Sequence, residues 1–175
     1  LGRLGSLAIG SYLVGLFASF SISAVYNMAP LGRLKSRLRR YDHAAIFLLI
    51  AGTYTAIAGL SLPPSWSLPL LGLVWSGALV GMALKLFAVG RHERLGLVLY
   101  LGLGWVGIVA LLPLTVALTH GQFAALCLGG LIYTGGVAFY LSRRLRFRHA
   151  LWHVAVLSGS AAHYLVVLTL VRASP

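Results

Sequence analysis

Residues Arg148 to Arg172 read RHALWHVAVLSGSAAHYLVVLTLVR. The stretch is apolar over more than the ~20 residues that a helix needs to cross the hydrocarbon of a bilayer. It nevertheless carries three histidines, His149, His153 and His163. Ionisable side chains are costly in hydrocarbon, so those found in a spanning helix mark a site or a packing contact. His149 and His153 are four residues apart and share one helix face, about one turn apart. His163 lies fourteen residues beyond His149, ~21 Å further along the axis. One metal ion reaches the first pair but not the third histidine of the same helix.

The rest of the chain shares this character. Of its 175 residues 59% are hydrophobic and 9% charged, and the mean hydropathy is +0.93. These values belong to a polytopic membrane protein and exclude a soluble domain. The single cysteine, Cys127, rules out an internal disulfide and a cysteine-based zinc cluster. A net charge of +12 does not indicate nucleic acid here. The basic residues fall in short gaps between apolar runs, where orientation signals and anionic headgroups place them. The expected partners are membrane lipids, one of them a possible substrate. The chain opens at Leu1 rather than methionine, so a native start upstream is expected.

An all-α membrane fold follows, a single bundle over residues 1–175 with six readable spans. They run at about Ser6–Asn27, His43–Ser61, Leu68–Val89, Leu95–Leu118, Gln122–Leu141 and His149–Val171. Pro113, late in the fourth, should kink or end its regular helix. Leu62-Pro63-Pro64-Ser65-Trp66-Ser67 reads as an uncharged turn with an interfacial tryptophan. Gly77 with Gly81, Gly129-Gly130 and Gly135-Gly136 fit close helix contacts in lipid. None of these glycines follows a strand, so none makes a phosphate loop.

Orientation comes from the basic residues. The gap after the first span holds Arg33, Lys35, Arg37, Arg39 and Arg40. The gap after the third has Lys85, Arg91 and Arg94, and that after the fifth has Arg143, Arg144, Arg146 and Arg148. Simple alternation puts these twelve on one side and only Arg3 and Arg172, of fourteen, on the other. The loaded side is cytoplasmic by the positive-inside rule, and the C-terminus external. A bacterial inner membrane is the expected location.

Orientation brings polar residues from distant sequence to one depth. Ser23 and Asn27 fall at the cytoplasmic end of the first span, Asp42 and His43 at the mouth of the second, and His149 and His153 in the first two turns of the sixth. Each has a plainer reading. Asp42 fits an N-cap, His149 a solvated loop position, and His153 a packed, hydrogen-bonded core histidine. Asn27 and Ser23 fit interhelical hydrogen bonding. His43 points ~100° away from Asp42 round the helix. His163, in the outer half, is expected to bond another helix, while His92 and His120 fall in predicted loops. Together, however, a His-x-x-x-His pair gives zinc two imidazoles from one rigid helix. A nearby carboxylate binds the metal or acts as base, as in metal-assisted hydrolysis. The soluble metalloprotease motif is absent, because Ala150 follows His149.

The sequence resembles the haemolysin III and adiponectin-receptor family, nearest its bacterial haemolysin III branch. The resemblance is carried by Ser23-Ala-Val-Tyr-Asn27, Arg40-Tyr-Asp-His-Ala-Ala-Ile-Phe-Leu-Leu-Ile-Ala-Gly-Thr-Tyr-Thr55, Gly129-Gly-Leu-Ile-Tyr-Thr-Gly-Gly136, His149-Ala-Leu-Trp-His153 and Ser158-Gly-Ser-Ala-Ala-His163-Tyr. It implies a seven-helix bundle with the N-terminus inside, whose first span is expected upstream of Leu1. In receptors of the family three histidines hold zinc near the cytoplasmic face, one from a Ser-x-x-x-His motif and two from His-x-x-x-His, while an aspartate holds the water. The resemblance thus makes Ser23 the motif serine, Asp42 the aspartate, and His149 and His153 the histidine pair. Asn27 stands where the remaining histidine is expected. An amide oxygen is a weaker, neutral zinc ligand. Loose binding through the two histidines, Asp42 and water, recruitment of His43, and an empty site all remain open. The expectation adopted is a weakened but surviving zinc site.

Three functions follow. The first is a zinc-dependent intramembrane hydrolase of lipid amides such as ceramide, since the family is related to alkaline ceramidases. The second is a non-catalytic sensor or receptor-like protein, towards which Asn27 weighs. The third is a membrane-perturbing pore former, as the haemolysin name implies, for which spans with so few polar residues give little support.

Overall fold

The computed structural model describes residues 2–87, 93–142 and 144–173, with the side chains of residues 93 and 94 outside that description. The predicted end of the third span at Val89, and Arg91, His92 and Arg143, lie outside the described residues. Helices account for nearly all of the described chain, and no strand occurs among its described residues. They are α1 (Arg3–Met28), α2 (Arg33–Ser61), α3 (Pro64–Phe87), α4 (Glu93–Trp105), a 3-10 turn (Val106–Ala110), α5 (Leu111–Ala117), α6 (His120–Leu141) and α7 (Arg148–Ala173). Among the described residues six segments are long and apolar enough to cross a membrane, the fourth being Leu95–Ala117. Internal packing divides the chain into two units, Leu1–Ala110 and Leu111–Pro175.

In the first unit α2 is the central element, packed against α1, α3 and α4. Small residues make this possible. A Cβ on Gly52 would stand 2.6 Å from the Ser11 carbonyl oxygen, and one on Gly15 would stand 2.8 Å from that of Leu48. The two backbones therefore approach as only glycine permits. Phe47 is wholly buried and lies over Gly81 of α3, its ring 4.5 Å from that of Tyr100. Trp75 Nε1 donates to Thr55 Oγ1 across 3.0 Å, joining α3 to α2.

The connections obey local chemistry. Helix α1 stops at Ala29, which is extended because Pro30 disfavours the α region before it. Gly32 then takes φ +148° at the N-cap of α2, a conformation that favours glycine. The predicted six-residue turn is shorter than expected. Only Leu62 and Pro63 lie outside helix, since Pro64 suits the first helical position.

The fourth span breaks earlier than Pro113 alone predicts. Its regular helix ends at Trp105, and the 3-10 turn occupies the stretch before the proline. The Tyr54 hydroxyl sits in this break, accepting from the Gly107 amide at 2.8 Å and donating to the Gly104 carbonyl at 2.9 Å. A side chain entering the i to i−4 ladder is a recognised cause of such breaks. At membrane depth the freed backbone groups must find partners in the protein, and Tyr54 supplies them.

In the second unit α6 packs along α7. His120 is the first residue of α6, not part of a loop as predicted. Thr119 caps it in a reciprocal capping box with Gln122, and Gln122 Nε2 continues to Thr169 Oγ1 on α7 at 3.0 Å. Gly129 lies under His163, and Gly136 under Ala155 and Trp152. A Cβ on Gly130 or Gly135, by contrast, would have no atom within 4 Å among the described residues, so these two make no close contact with α7.

Candidate functional site

Helix α2 begins ten residues before the span predicted for it, and this relocates Asp42. The run Arg33–Tyr41 is helical and continuous with the membrane segment. Asp42 is therefore not at the helix mouth, and Gly32 rather than Asp42 is the N-cap. Its half-buried carboxylate lies ~13 Å along the axis from Arg33. The capping explanation for the residue falls away. His43 beside it is half-buried, and its backbone carbonyl accepts from the Tyr100 hydroxyl at 2.8 Å.

Ser23 and Asn27 are brought together at the end of α1. Asn27 Nδ2 donates to the Ser23 carbonyl oxygen at 2.8 Å and approaches Ser23 Oγ at 3.5 Å. Lys35, from the first turn of α2, donates to the carbonyls of Ala29 at 3.0 Å and Asn27 at 3.5 Å. A cation at these last carbonyls complements the helix dipole. Its Nζ also lies 5.4 Å from the centre of the Tyr26 ring.

His149 and His153 occupy the first turns of α7, as expected. His149 is exposed, and His153 is half-buried. The His149 ring meets the Tyr140 ring edge-on at 5.8 Å, and Trp152 meets the same tyrosine at 5.7 Å. His163 has the separate role expected of it, its Nε2 lying 3.2 Å from the Leu126 carbonyl on α6. Nearby, Tyr133 Oη and Ser160 Oγ share a hydrogen bond of 2.6 Å. Sequence reasoning singled out neither this pair nor Tyr54, although Gly-Thr-Tyr-Thr had already drawn attention as a motif.

The haemolysin-III related family matches residues 3–164 of this chain. The chain belongs to that family. It is 43% identical over 136 residues to the hemolysin-3 homolog of Bacillus subtilis (strain 168), covering 78% of this chain and 64% of the relative. It is 37% identical over 164 residues to hemolysin-3 of Bacillus cereus, covering 93% of this chain and 74% of that protein. Similarity extends to the human monocyte to macrophage differentiation factor, at 28% over 172 residues, 94% of this chain and 70% of the human one. The chain thus spans a little under two thirds of the Bacillus subtilis relative. Family and helices together make it an integral membrane protein.

The side chains of this haemolysin III-related chain fit a metal ion in part. Two imidazoles one turn apart on α7 have the donor chemistry of part of a zinc site, while the Asp42 carboxylate, outside any cap, belongs to the other unit. Asn27 fits less well, because the amide oxygen it would offer is a weaker, neutral ligand than imidazole, its amide nitrogen being given to the Ser23 carbonyl. Among the described residues of either unit, no three His, Cys, Asp or Glu side chains are gathered as a metal-holding group.

Proposed function

We propose that this haemolysin III-related protein is a metal-dependent hydrolase of lipid amides, working at the cytoplasmic side of a bacterial inner membrane. The observation that carries the reading is the position of Asp42. It is a half-buried acidic residue inside a continuous helix and not a cap, standing where the apolar span meets its basic extension. By the resemblance of its motifs to those of the family, His149 and His153 would hold zinc, and Asp42 would serve as the acid-base group. When bound, such an ion polarises a carbonyl and makes water more acidic. Asp42 orients the attacking water and takes its proton, then returns it to the leaving amine as the amide C–N bond breaks. Ser23 fixes the Asn27 amide and keeps that end of α1 polar. Orientation rests on the twelve basic residues of the alternate gaps, and a ceramide-like amide is the substrate class that the resemblance to relatives of alkaline ceramidases implies.

An amide at position 27, a weaker zinc ligand than imidazole, favours a second reading, a receptor-like membrane sensor that keeps the fold without catalysis. Turnover of a labelled ceramide by detergent-purified protein separates the two. The hydrolase reading expects turnover that Asp42→Asn reduces by at least the 10²-fold or so typical of a lost general base. No turnover in the parent, with the fold stabilised by lipid, supports the sensor. Dye release from liposomes that is indifferent to Asp42→Asn and to chelators would instead support membrane perturbation.

A further inference from the structure

Helix α2 has 29 residues, about nine more than the ~20 that cross a hydrocarbon core. The surplus is its basic end. His43–Ser61 contains no Lys, Arg, Asp or Glu, whereas Arg33–Tyr41 contains five basic residues. At 100° per residue, Arg33, Arg37 and Arg40 fall within an arc of ~60° on this extension. Leu34, Leu38 and Tyr41 fall within a second arc of similar width. Lys35 is turned to the carbonyls at the end of α1 and does not belong to the arginine stripe.

Three like charges at i, i+4 and i+7 destabilise a helix, and positive charge in its first turns opposes the dipole. The chain has only two acids to offset them. Asp42 lies on the opposite side of α2, ~180° from the centre of the stripe, and the side chain of Glu93 is outside the described residues. Arg33 and Arg37 are exposed and Arg40 half-buried, so the stripe is open to an anion from outside. Next to it Leu34 is 59% and Leu31 93% exposed, apolar groups suited to the acyl boundary. A rigid helix thus presents a cationic edge and an apolar edge where the span leaves the hydrocarbon. We propose that Arg33, Arg37 and Arg40 form a binding stripe for the phosphate headgroups of anionic phospholipids. Guanidinium forks match phosphate in a bidentate manner, and a net negative headgroup supplies the charge that the chain lacks. A zwitterionic lipid carries its own ammonium and gains less.

Binding of labelled phosphatidylglycerol and phosphatidylcholine to the full chain in neutral-detergent mixed micelles tests the stripe. Phosphatidylglycerol is expected to bind preferentially, and R33Q/R37Q/R40Q to weaken it about a hundred-fold, roughly five-fold for each arginine. R172Q, at the other end of the chain, keeps the preference. R37Q alone, with its roughly five-fold loss, serves where the triple variant does not fold. Equal binding of the two lipids, an equal loss in R172Q, or displacement by inorganic phosphate or an RNA oligonucleotide would overturn the proposal.

Discussion

Tyr54→Phe is the most informative single substitution in the first unit. It deletes one oxygen and leaves the ring in place. That oxygen accepts from the Gly107 amide and donates to the Gly104 carbonyl, at a break in a segment apolar enough to cross a membrane. Neither backbone group has water to turn to at that depth. Interhelical hydrogen bonds within membranes average ~0.6 and reach ~1.7 kcal/mol. Two such bonds, at 2.8 and 2.9 Å, put the expected loss at about 1–3 kcal/mol. Stability is read by titrating purified protein from a mild detergent into dodecyl sulfate. Hydrogen exchange of the peptide containing Gly107 is followed in parallel and should accelerate. Tyr100→Phe loses the bond to the His43 carbonyl and should cost about half as much. A Tyr54→Phe protein with parental stability and unchanged Gly107 exchange would refute the reasoning, because the break would then be held by something else.

Gly52→Ala should lower stability by about 1–3 kcal/mol in the same titration, since the new methyl meets the Ser11 carbonyl at 2.6 Å and Tyr12 Cα at 3.1 Å. The methyls of Gly130→Ala and Gly135→Ala meet no atom within 4 Å among the described residues, and the changes should be neutral or stabilising, by up to ~1 kcal/mol of helix propensity. Asn27→His replaces an amide turned onto Ser23 with imidazole, and should raise the zinc retained on purification in metal analysis. An unchanged content would mean that position 27 does not limit the metal.

The spans were legible because bilayer thickness imposes a length on apolar runs, and Arg148–Ala173 is almost the stretch its hydropathy marks out. His163 was legible too, since an imidazole far from the other two needs its own partner and finds the Leu126 carbonyl. The start of α2 was not. Hydropathy locates where hydrocarbon ends, whereas the helix continues through charged residues that are themselves good helix formers. That difference turned Asp42 from a candidate cap into an interior acid. Close approach at Gly15 and Gly52 was also hidden, because small-residue spacing does not say which face meets a neighbour. Gly130 and Gly135 had the favoured spacing, yet a Cβ there meets no atom within 4 Å among the described residues. Tyr54 was hidden for a related reason. Its partners are two backbone groups about fifty residues away, and the break they create was attributed to Pro113 alone.

Zinc bound per chain, measured by elemental analysis on protein purified without chelator, bears most directly on the proposed metal centre. Zinc is expected in the parent and should fall sharply in His153→Ala. Equal, near-zero zinc in the parent and in His153→Ala would contradict it.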